Sequence, residues 1–240
     1  MNTANVLSEP FSSMPNISSV ILLIYPYSPF ETEYSYIPSY YLNSNKAFFA
    51  TKEFEKALNT EGVPAMSLNL PARAVALSSK VGSVGKNALL RVKDFGSRII
   101  LTTVGIENLA PLTYDETMPP CKNCEKCKSA CPVNAIDAEN GIYIQKCMRY
   151  HMETADHPEW VNANIKTFLG CEVCMDACPF NSKVERICPS PEVISAFDID
   201  KLASGDTKAA RELVGKNKTG NGKLTKEAIS ILKNLEKRRG

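Results

Sequence analysis

Two short cysteine-rich stretches stand out in this chain: residues 121–134 read CKNCEKCKSACPVN, and residues 171–181 read CEVCMDACPFN. The first has the spacing C-x2-C-x2-C-x3-C-P, which binds a cubane 4Fe-4S cluster and sends its fourth cysteine to a second cluster. The proline after the last cysteine breaks local helix and sets the exit of the chain. The spacing therefore predicts two 4Fe-4S clusters.

The two stretches are an internal duplication with an offset of 47 residues. The counterpart of Cys121 would fall on Phe168, but Cys147 lies upstream and can fold back to take its place. If the Cys-Pro cysteine of each half binds the cluster of the other half, eight cysteines are used as ligands and Cys188 has no role. The matched residues are Cys124, Glu125, Cys127, Ala130, Cys131, Pro132 and Asn134 with Cys171, Glu172, Cys174, Ala177, Cys178, Pro179 and Asn181. The predicted ligands are Cys121, Cys124, Cys127 and Cys178 for the first cluster, and Cys131, Cys147, Cys171 and Cys174 for the second.

Paired cysteines have two other common uses in proteins. They bind structural zinc, and in secreted proteins they form disulfide frameworks. Neither use needs three cysteines in seven residues followed by Cys-Pro, and this chain has a form of that pattern twice. The cluster interpretation is therefore favoured over both.

Length and composition set the broad class of the protein. Its 240 residues, of which 44% are hydrophobic, can form one large or two modest domains. The longest apolar run, Val20–Ile24, is too short to span a membrane, and the start MNTANVLSEP lacks the features of a secretory signal. Because cluster thiolates must also stay reduced, we expect a cytoplasmic location.

The amino-terminal part alternates strand and helix patterns. Residues 18–25 read as a buried strand, and apolar spacing predicts a helix that is capped by Ser44 and ends near Gly62. A short strand at 66–70 precedes a second helix opened by Pro71. Residues 89–92 (LLRV) and 98–104 (RIILTTV) are then expected to pair as a hairpin around a Gly-Ser turn.

We therefore expect an α+β (α/β) protein with three parts. Residues 1–112 would form an α/β domain for a cofactor or substrate, residues 113–190 a bacterial-ferredoxin-like domain with both clusters, and residues 191–240 a helical tail. In the tail, Ala228, Ile231, Leu232 and Leu235 mark one face of a last helix capped by Thr225.

A glycine-rich loop lies ahead of the clusters. Gly82 and Gly85 would let a backbone pass close to a large group, and Lys86 and Asn87 place a cation and an amide there, as for a phosphate or an amide-bearing cofactor. The loop is not a P-loop, since its spacing is too short and no Ser or Thr follows Lys86. A plain structural turn is the favoured interpretation of the loop taken alone.

Two further features have weak functional signals. From Arg211 to Arg239 there are nine Lys or Arg residues against three Glu, which could attract RNA. A solvated helix face is favoured, because no aromatic residues are interleaved with these charges. His151 lies four residues after Cys147 and could sit beside a cluster, although an ordinary polar role is favoured.

The chain resembles the epoxyqueuosine reductase class, whose relatives include corrinoid-dependent reductive dehalogenases. The resemblance covers about residues 70–185: it consists of PARAVALSSKVGSVGKNALLRVKDFGSRIIL, then C-x2-C-x2-C-x3-C-P, a lone cysteine and GC-x2-C-x3-C-P. It implies that the clusters deliver electrons to a cobalamin held by the α/β domain, partly by the loop Gly82–Asn87. The family's Asp-Tyr-His signature, whose aspartate the resemblance implies to be the proton donor, is absent from the comparable stretch SNKAFFATKEF. The family's tRNA-gripping helical repeats are reduced to about two helices.

Three functions follow from these features. The first is an oxidoreductase in which the two clusters pass single electrons to a corrinoid or a substrate in the amino-terminal domain, with a small donor of the ferredoxin or flavodoxin type upstream. The second is an electron carrier that docks a partner enzyme. The third is an RNA-binding protein with structural clusters. The α/β domain favours the first, and the missing aspartate counts against it.

Overall fold

A three-stranded antiparallel sheet forms the centre of the amino-terminal part. The computed structural model describes residues 16–107, 115, 117–137, 141–151 and 158–215. The strand order is β1-β5-β2, with β1 at Ser19–Pro26, β2 at Ala65–Leu68 and β5 at Ile99–Ile106. The central strand pairs with β1 along its whole length and with β2 over Thr103–Ile106, so that Val104 lies opposite Ile21 on one side and Ser67 on the other.

Helices cover both faces of this sheet. Alternate residues of β1 point to opposite faces, so Leu22 and Ile24 pack with Ala76 of α2 (Ala72–Ser78). Ile21 and Leu23 pack with Phe54 and Leu58 of α1 (Ser39–Thr60). The predicted α+β fold class is confirmed.

The first helix begins earlier than the sequence pattern predicted. It starts at Ser39, directly after Pro38, and Ser44 lies inside it rather than at its cap. The extra turn buries Tyr41 and Leu42 in a core, and Ser39 donates from its Oγ to the carbonyl of Ser28 at 2.8 Å. Tertiary packing thus decides the start of this helix in place of the local capping signal.

The predicted hairpin between residues 89–92 and 98–104 is wrong. β4 (Leu90–Arg91) pairs with β3 (Ser83–Val84), and the Gly-Lys-Asn loop is the turn between them. A single bridge joins Val92 to Gly96, after which the chain enters β5. β5 instead pairs with β1 along Ile99–Ile106 and with β2 along Thr103–Ile106, while β4 takes β3 as its partner.

The helices after the cysteine motifs pack back onto the amino-terminal part. α7 (Pro191–Ala196), α8 (Ile199–Ala203) and α9 (Lys208–Val214) share one core with residues of α1. No helix in the described part of the chain is long and apolar enough to cross a membrane. The predicted last helix with Thr225 at its cap, and most of the basic segment, lie outside the described residues.

Candidate metal centre

The two cysteine motifs have the same local backbone. Each carries a short helix, α3 (Lys126–Ala130) in the first and α6 (Val173–Asp176) in the second, and these two helices pack together. Between them in the chain lie α4 (Met148–His151) and α5 (Glu159–Asn164). The capping residues have nearly equal angles, with φ −124° and ψ 16° at Glu125, and φ −113° and ψ 8° at Glu172. The Cys-Pro cysteines also agree, with φ −68° and ψ 115° at Cys131, and φ −78° and ψ 122° at Cys178. The duplication is therefore visible in the backbone as well as in the sequence.

The thiols fall into two neighbouring groups. Burial raises the pKa of the Cys127 thiol, and the thiols of Cys121 and Cys178 raise it further. These three belong to the predicted ligand set of the first cluster. Cys178 reaches this group although it belongs to the second motif.

The second group contains more deeply buried thiols. Burial raises the pKa of Cys171 to about 11, with further contributions from Cys147 and Cys131. Burial also raises the pKa of Cys174 to about 12, with contributions from Cys171, then Cys127 and Cys147. Because Cys174 also interacts with Cys127, the two groups adjoin each other.

This arrangement fits two iron–sulfur clusters. Buried thiols with raised pKa values ionise only when cations bind them, and metal binding supplies that charge. Ala135 donates its backbone N–H to Sγ of Cys131 at 3.3 Å, a type of contact that tunes cluster potential. In the described residues no three His, Cys, Asp or Glu side chains converge on one ion. A cubane does not require such convergence, because its thiolates bind four separate irons.

A buried ion pair fastens the second motif to the sheet. The guanidinium of Arg98, at the start of β5, is 2% exposed and donates to Glu172 and Asp176, each at 2.5 Å. Glu172 also accepts a hydrogen bond from the Tyr27 hydroxyl at 3.3 Å, and burial raises the pKa of Tyr27. Arg186 contacts the same Asp176 carboxylate at 2.6 Å. The second motif is therefore held at a fixed place against the amino-terminal part.

A second buried arginine lies between the loop hairpin and the first motif. Arg91 is 1% exposed, and its Nη2 donates to the carbonyl of Pro119 at 2.9 Å. Its guanidinium carbon lies 4.4 Å from the ring centre of Phe180. Ser83 adds a hydrogen bond from its Oγ to the carbonyl of Met118 at 2.8 Å. The hairpin thus contacts the chain just before Cys121 and just after Cys178.

The glycines of the loop are required by the loop itself. Gly82 has φ +77°, and a Cβ there would lie 2.2 Å from the carbonyl oxygen of Arg91. A Cβ on Gly85 would lie 2.8 Å from Oδ1 of Asn87. Asn87 is buried, and its side chain hydrogen-bonds toward Cys174, which lowers the pKa of that thiol. Lys86 is half-buried and has no hydrogen-bond or ion-pair partner in the described part of the chain.

The turn that follows Cys178 in the second motif is hydrogen-bonded to the turn that precedes β5. Asn181 is buried, and its Oδ1 accepts from the backbone N–H of Ser97 at 2.7 Å. Its Nδ2 donates to the carbonyl of Met175 at 2.8 Å. A Cβ on Gly96, which has φ +60°, would lie 2.1 Å from Asn181 Oδ1. The Gly-Ser pair is thus explained by this contact.

A small cavity lies beside the second group of thiols. Its volume is about 190 Å³, and its lining includes Phe30, Ser39, Lys166, Cys171, Asp176 and Arg186. The cavity lies between the segment that follows β1 and the second motif.

Sequence reasoning missed the two buried arginines, the Asn181 contact and this cavity. Each depends on residues far apart in the chain, and only the position of Asn181 in the duplication gave a signal. His151 has a local role: its Nε2 lies 2.6 Å from the carbonyl oxygen of Gln145, and its ring lies against Trp160. Cys188 is exposed, and its thiol lies 3.5 Å from the carbonyl of Pro189 and also interacts with the Tyr34 hydroxyl.

The family comparison concerns the region of the cysteine motifs. Residues 120–181 match a family described as a 4Fe-4S double cluster binding domain, which confirms the predicted pair of 4Fe-4S clusters. The epoxyqueuosine reductase of Lactococcus garvieae is 34% identical over 117 residues, covering 46% of this chain and 32% of that protein. That of Atelocyanobacterium thalassa is 28% identical over 167 residues, covering 64% and 54%. The chain thus spans about a third to a half of the length of these relatives.

Solved structures extend the likeness to most of the fold. A selenomethionine-labelled epoxyqueuosine reductase superimposes with a TM-score of 0.68 at 20% identity, covering 93% of this chain and 65% of that chain. An epoxyqueuosine reductase with a tRNA-Tyr epoxyqueuosine-modified stem loop gives a TM-score of 0.67 at 19% identity, with the same coverage. At such low identity these structures show a shared fold alone. The predicted resemblance is nevertheless confirmed: the chain is similar to epoxyqueuosine reductases in its central sequence, in its fold and in its double 4Fe-4S cluster domain.

Proposed function

We propose that this protein is a cytoplasmic iron–sulfur oxidoreductase of the epoxyqueuosine reductase-like class. In it, two 4Fe-4S clusters relay single electrons from a small ferredoxin- or flavodoxin-type donor to a cofactor or substrate on the amino-terminal part. Cobalamin is the candidate cofactor. The clusters supply the one-electron chemistry, and the protein sets the position, charge and solvent access of the acceptor.

The main support for the proposal is that both cysteine motifs are held firmly against the amino-terminal part. Arg98 and Glu172 join the sheet to the second motif with two nearly buried side chains. Arg91 joins the loop hairpin to the first motif through Pro119. An electron carrier needs an exposed cluster edge for docking but has no need of this rigid sheet and hairpin. An internal acceptor does need them, because electron transfer requires a fixed short distance.

The proposed ligand sets follow the two groups of thiols. Cys121 and Cys178 both act on the charge of Cys127, and Cys147 and Cys131 both act on the charge of Cys171, which supports crossed sharing of the Cys-Pro cysteines. Anaerobically purified protein should then contain about eight irons and eight sulfides per chain, the content of two cubanes. Cys178→Ala should damage the first cluster in paramagnetic resonance spectra. Damage confined to the second cluster would overturn the crossed assignment, and zinc without sulfide would overturn the clusters themselves.

A variant of Lys86 tests cofactor binding, because the ammonium group of Lys86 has no partner in the described residues and could bind a cofactor. We expect cobalamin to bind the anaerobic wild-type protein and to shift its visible spectrum, and Lys86→Ala to weaken binding while leaving the cluster bands unchanged. Gly85→Val is a harsher variant, because its Cβ would also press on Asn87 and Arg91. Lys52→Ala is the matched control, since Lys52 lies on the exposed face of α1 and pairs with Glu55.

The electron-carrier function is the second candidate, and the missing aspartate of the family signature favours it. A wild-type protein that binds no cobalamin but exchanges electrons rapidly with a redox partner would replace the first proposal with this one. RNA binding is a separate hypothesis, because most of the basic segment lies outside the described residues. A gel-shift titration with a tRNA stem loop at two salt concentrations would test it.

A further inference from the structure

Asn87 is a buried amide in the turn between β3 and β4. It is only 4% exposed, although asparagine usually lies at the surface of a protein. Two backbone hydrogen bonds close the turn around it: Gly85 donates to the carbonyl of Leu89 at 2.8 Å, and Ala88 donates to the carbonyl of Gly85 at 2.9 Å. The turn thus holds the amide in one place, and a buried amide needs partners for both of its ends.

Both ends of the amide have a partner inside the protein. Oδ1 accepts the backbone N–H of Leu89 at 3.4 Å, and this orients the amide because a backbone N–H can only donate. The other end is hydrogen-bonded to Cys174, which packs in the same apolar cluster as Leu89. In the part of the chain that the structure describes, the buried side-chain nitrogen and oxygen atoms without a partner belong to Arg91 and Arg211, not to Asn87. The amide therefore serves the protein interior and is not free for a cofactor.

The direction of the bond to Cys174 follows from its effect on the thiol. Burial raises the pKa of Cys174 to about 12, and the hydrogen bond from the Asn87 side chain opposes that rise. A thiolate is stabilised only by a donor, so Nδ2 of Asn87 gives its N–H to Sγ of Cys174. The bond thus favours negative charge on that sulfur.

The first motif has no such donor. Cys127 is the counterpart of Cys174 in the duplication, and its thiol is hydrogen-bonded by the backbone N–H of Lys128. Within the described ranges no side chain donates to Cys127. Because the two motifs have nearly the same backbone, a donor supplied from another part of the chain is a means of making the two clusters different.

We propose that Asn87 is a positioning residue of the second 4Fe-4S cluster, which donates to Sγ of Cys174 and raises the reduction potential of that cluster. The inference rests on the cluster ligands proposed above. Reduction adds one electron to the cluster, and in that step no bond forms or breaks and no proton moves. An N–H donor to a ligand sulfur stabilises the reduced form, which is more negative, more than the oxidised form. The bond therefore favours residence of the electron on the second cluster, next to the loop that carries Lys86.

The test is a redox titration of the purified holoprotein without added cobalamin, followed by paramagnetic resonance. Asn87→Leu, which has a similar size and no donor, should lower the midpoint potential of the second cluster only. We expect about a tenfold change in its reduction equilibrium, which is 59 mV for one electron. Asn87→Asp keeps the acceptor for Leu89 but loses the donor, so it should lower the same potential and serves if Asn87→Leu fails to fold. A Cys147→Ser variant, with an altered spectrum for the second cluster, identifies which signal is which.

A measurement on the wild-type protein needs no variant to fold. Protein labelled with nitrogen-15 only in the asparagine side chains should show nitrogen coupling in the paramagnetic resonance signal of the reduced second cluster. Asn87→Leu should remove that coupling. A wild-type signal without nitrogen coupling would overturn the inference, and so would a coupling that persists in Asn87→Leu.

Arg73→Gln is the matched control, because Arg73 is exposed and contacts the outer side of the same loop through the carbonyl of Ala88 at 2.8 Å. It should leave both potentials unchanged, and a shift as large as that of Asn87→Leu would assign the effect to disturbance of the loop. Unchanged potentials in both Asn87 variants, with full iron content, would also overturn the inference, as would an equal shift of both clusters. A protein without two clusters would fail at iron and sulfide analysis first, which separates failure of the proposed function from failure of this inference.

Discussion

Replacing Arg98 by methionine should destabilise the protein, chiefly through an uncompensated Glu172 carboxylate. Methionine fills much of the space of the arginine stem but leaves Glu172 without its cation and Asp176 with Arg186 alone. Breaking a buried ion pair by removing one partner costs about 3–5 kcal/mol. The lower end applies here, because the Glu172 and Asp176 side chains are 18% and 42% exposed and water screens them in part. Arg186 also remains paired with Asp176.

The expected loss of about 3 kcal/mol can be measured as a shift in Tm. For a chain of this size, 1 kcal/mol corresponds to roughly 2–4 °C, so Arg98→Met should lower Tm by about 6–12 °C. The holoprotein should be heated anaerobically at one scan rate, since loss of iron makes the transition rate-dependent. Arg73→Met, at an exposed site, should change Tm by less than about 2 °C.

A double variant separates charge from packing. If the unpaired Glu172 carboxylate causes the loss, Arg98→Met combined with Glu172→Gln should recover part of the Tm. A double variant no more stable than Arg98→Met would show that the lost packing of the arginine stem accounts for the effect. A Tm drop of less than about 2 °C in Arg98→Met itself would refute the reasoning that this ion pair fixes the second motif.

Three further outcomes are expected. Cys188→Ser should retain the iron content and both potentials, since Cys188 is exposed and outside both thiol groups; loss of iron would mean that a ligand is misassigned. Gly96→Ala should lower Tm far more than Gly62→Ala, because both positions have positive φ but only Gly96 faces an atom, Asn181 Oδ1, within 4 Å; equal effects would show that backbone strain alone matters. Epoxyqueuosine turnover by the purified protein should be weak or absent, because SNKAFFATKEF has no aspartate; robust turnover would identify another proton donor.

Local signals in the sequence were sufficient for the parts of the fold that depend on local chemistry. The cysteine spacing indicated both clusters, and the apolar run at 18–25 indicated β1, which lies at Ser19–Pro26. The start of α1 was missed because burial of Tyr41 and Leu42, not a capping residue, extends that helix. The hairpin was wrong because adjacent strands were assumed to pair, whereas β4 pairs with β3 across the Gly-Lys-Asn loop and β5 pairs with β1 and β2.

The interactions that sequence reasoning could not supply share one property, which is their separation along the chain. Arg98 and Glu172 are 74 residues apart, and Ser97 and Asn181 are 84 residues apart. No periodicity or motif links such positions in a single sequence. Yet Asn181 belongs to the duplicated pattern, and its counterpart Asn134 has a positive φ of 49° and makes no such contact with the sheet among the hydrogen bonds described. One copy of the motif has therefore acquired the anchoring role that the other lacks.

This asymmetry extends to the arginines that the two motifs meet. The second motif meets the sheet through a network in which Arg98 and Arg186 face two carboxylates. The first motif is attached through Arg91, which donates to the carbonyl of Pro119 and lies against the ring of Phe180. The two nearly identical motifs are therefore fixed to the amino-terminal part by different means, and removing Arg98 should loosen the second motif while leaving the first attached.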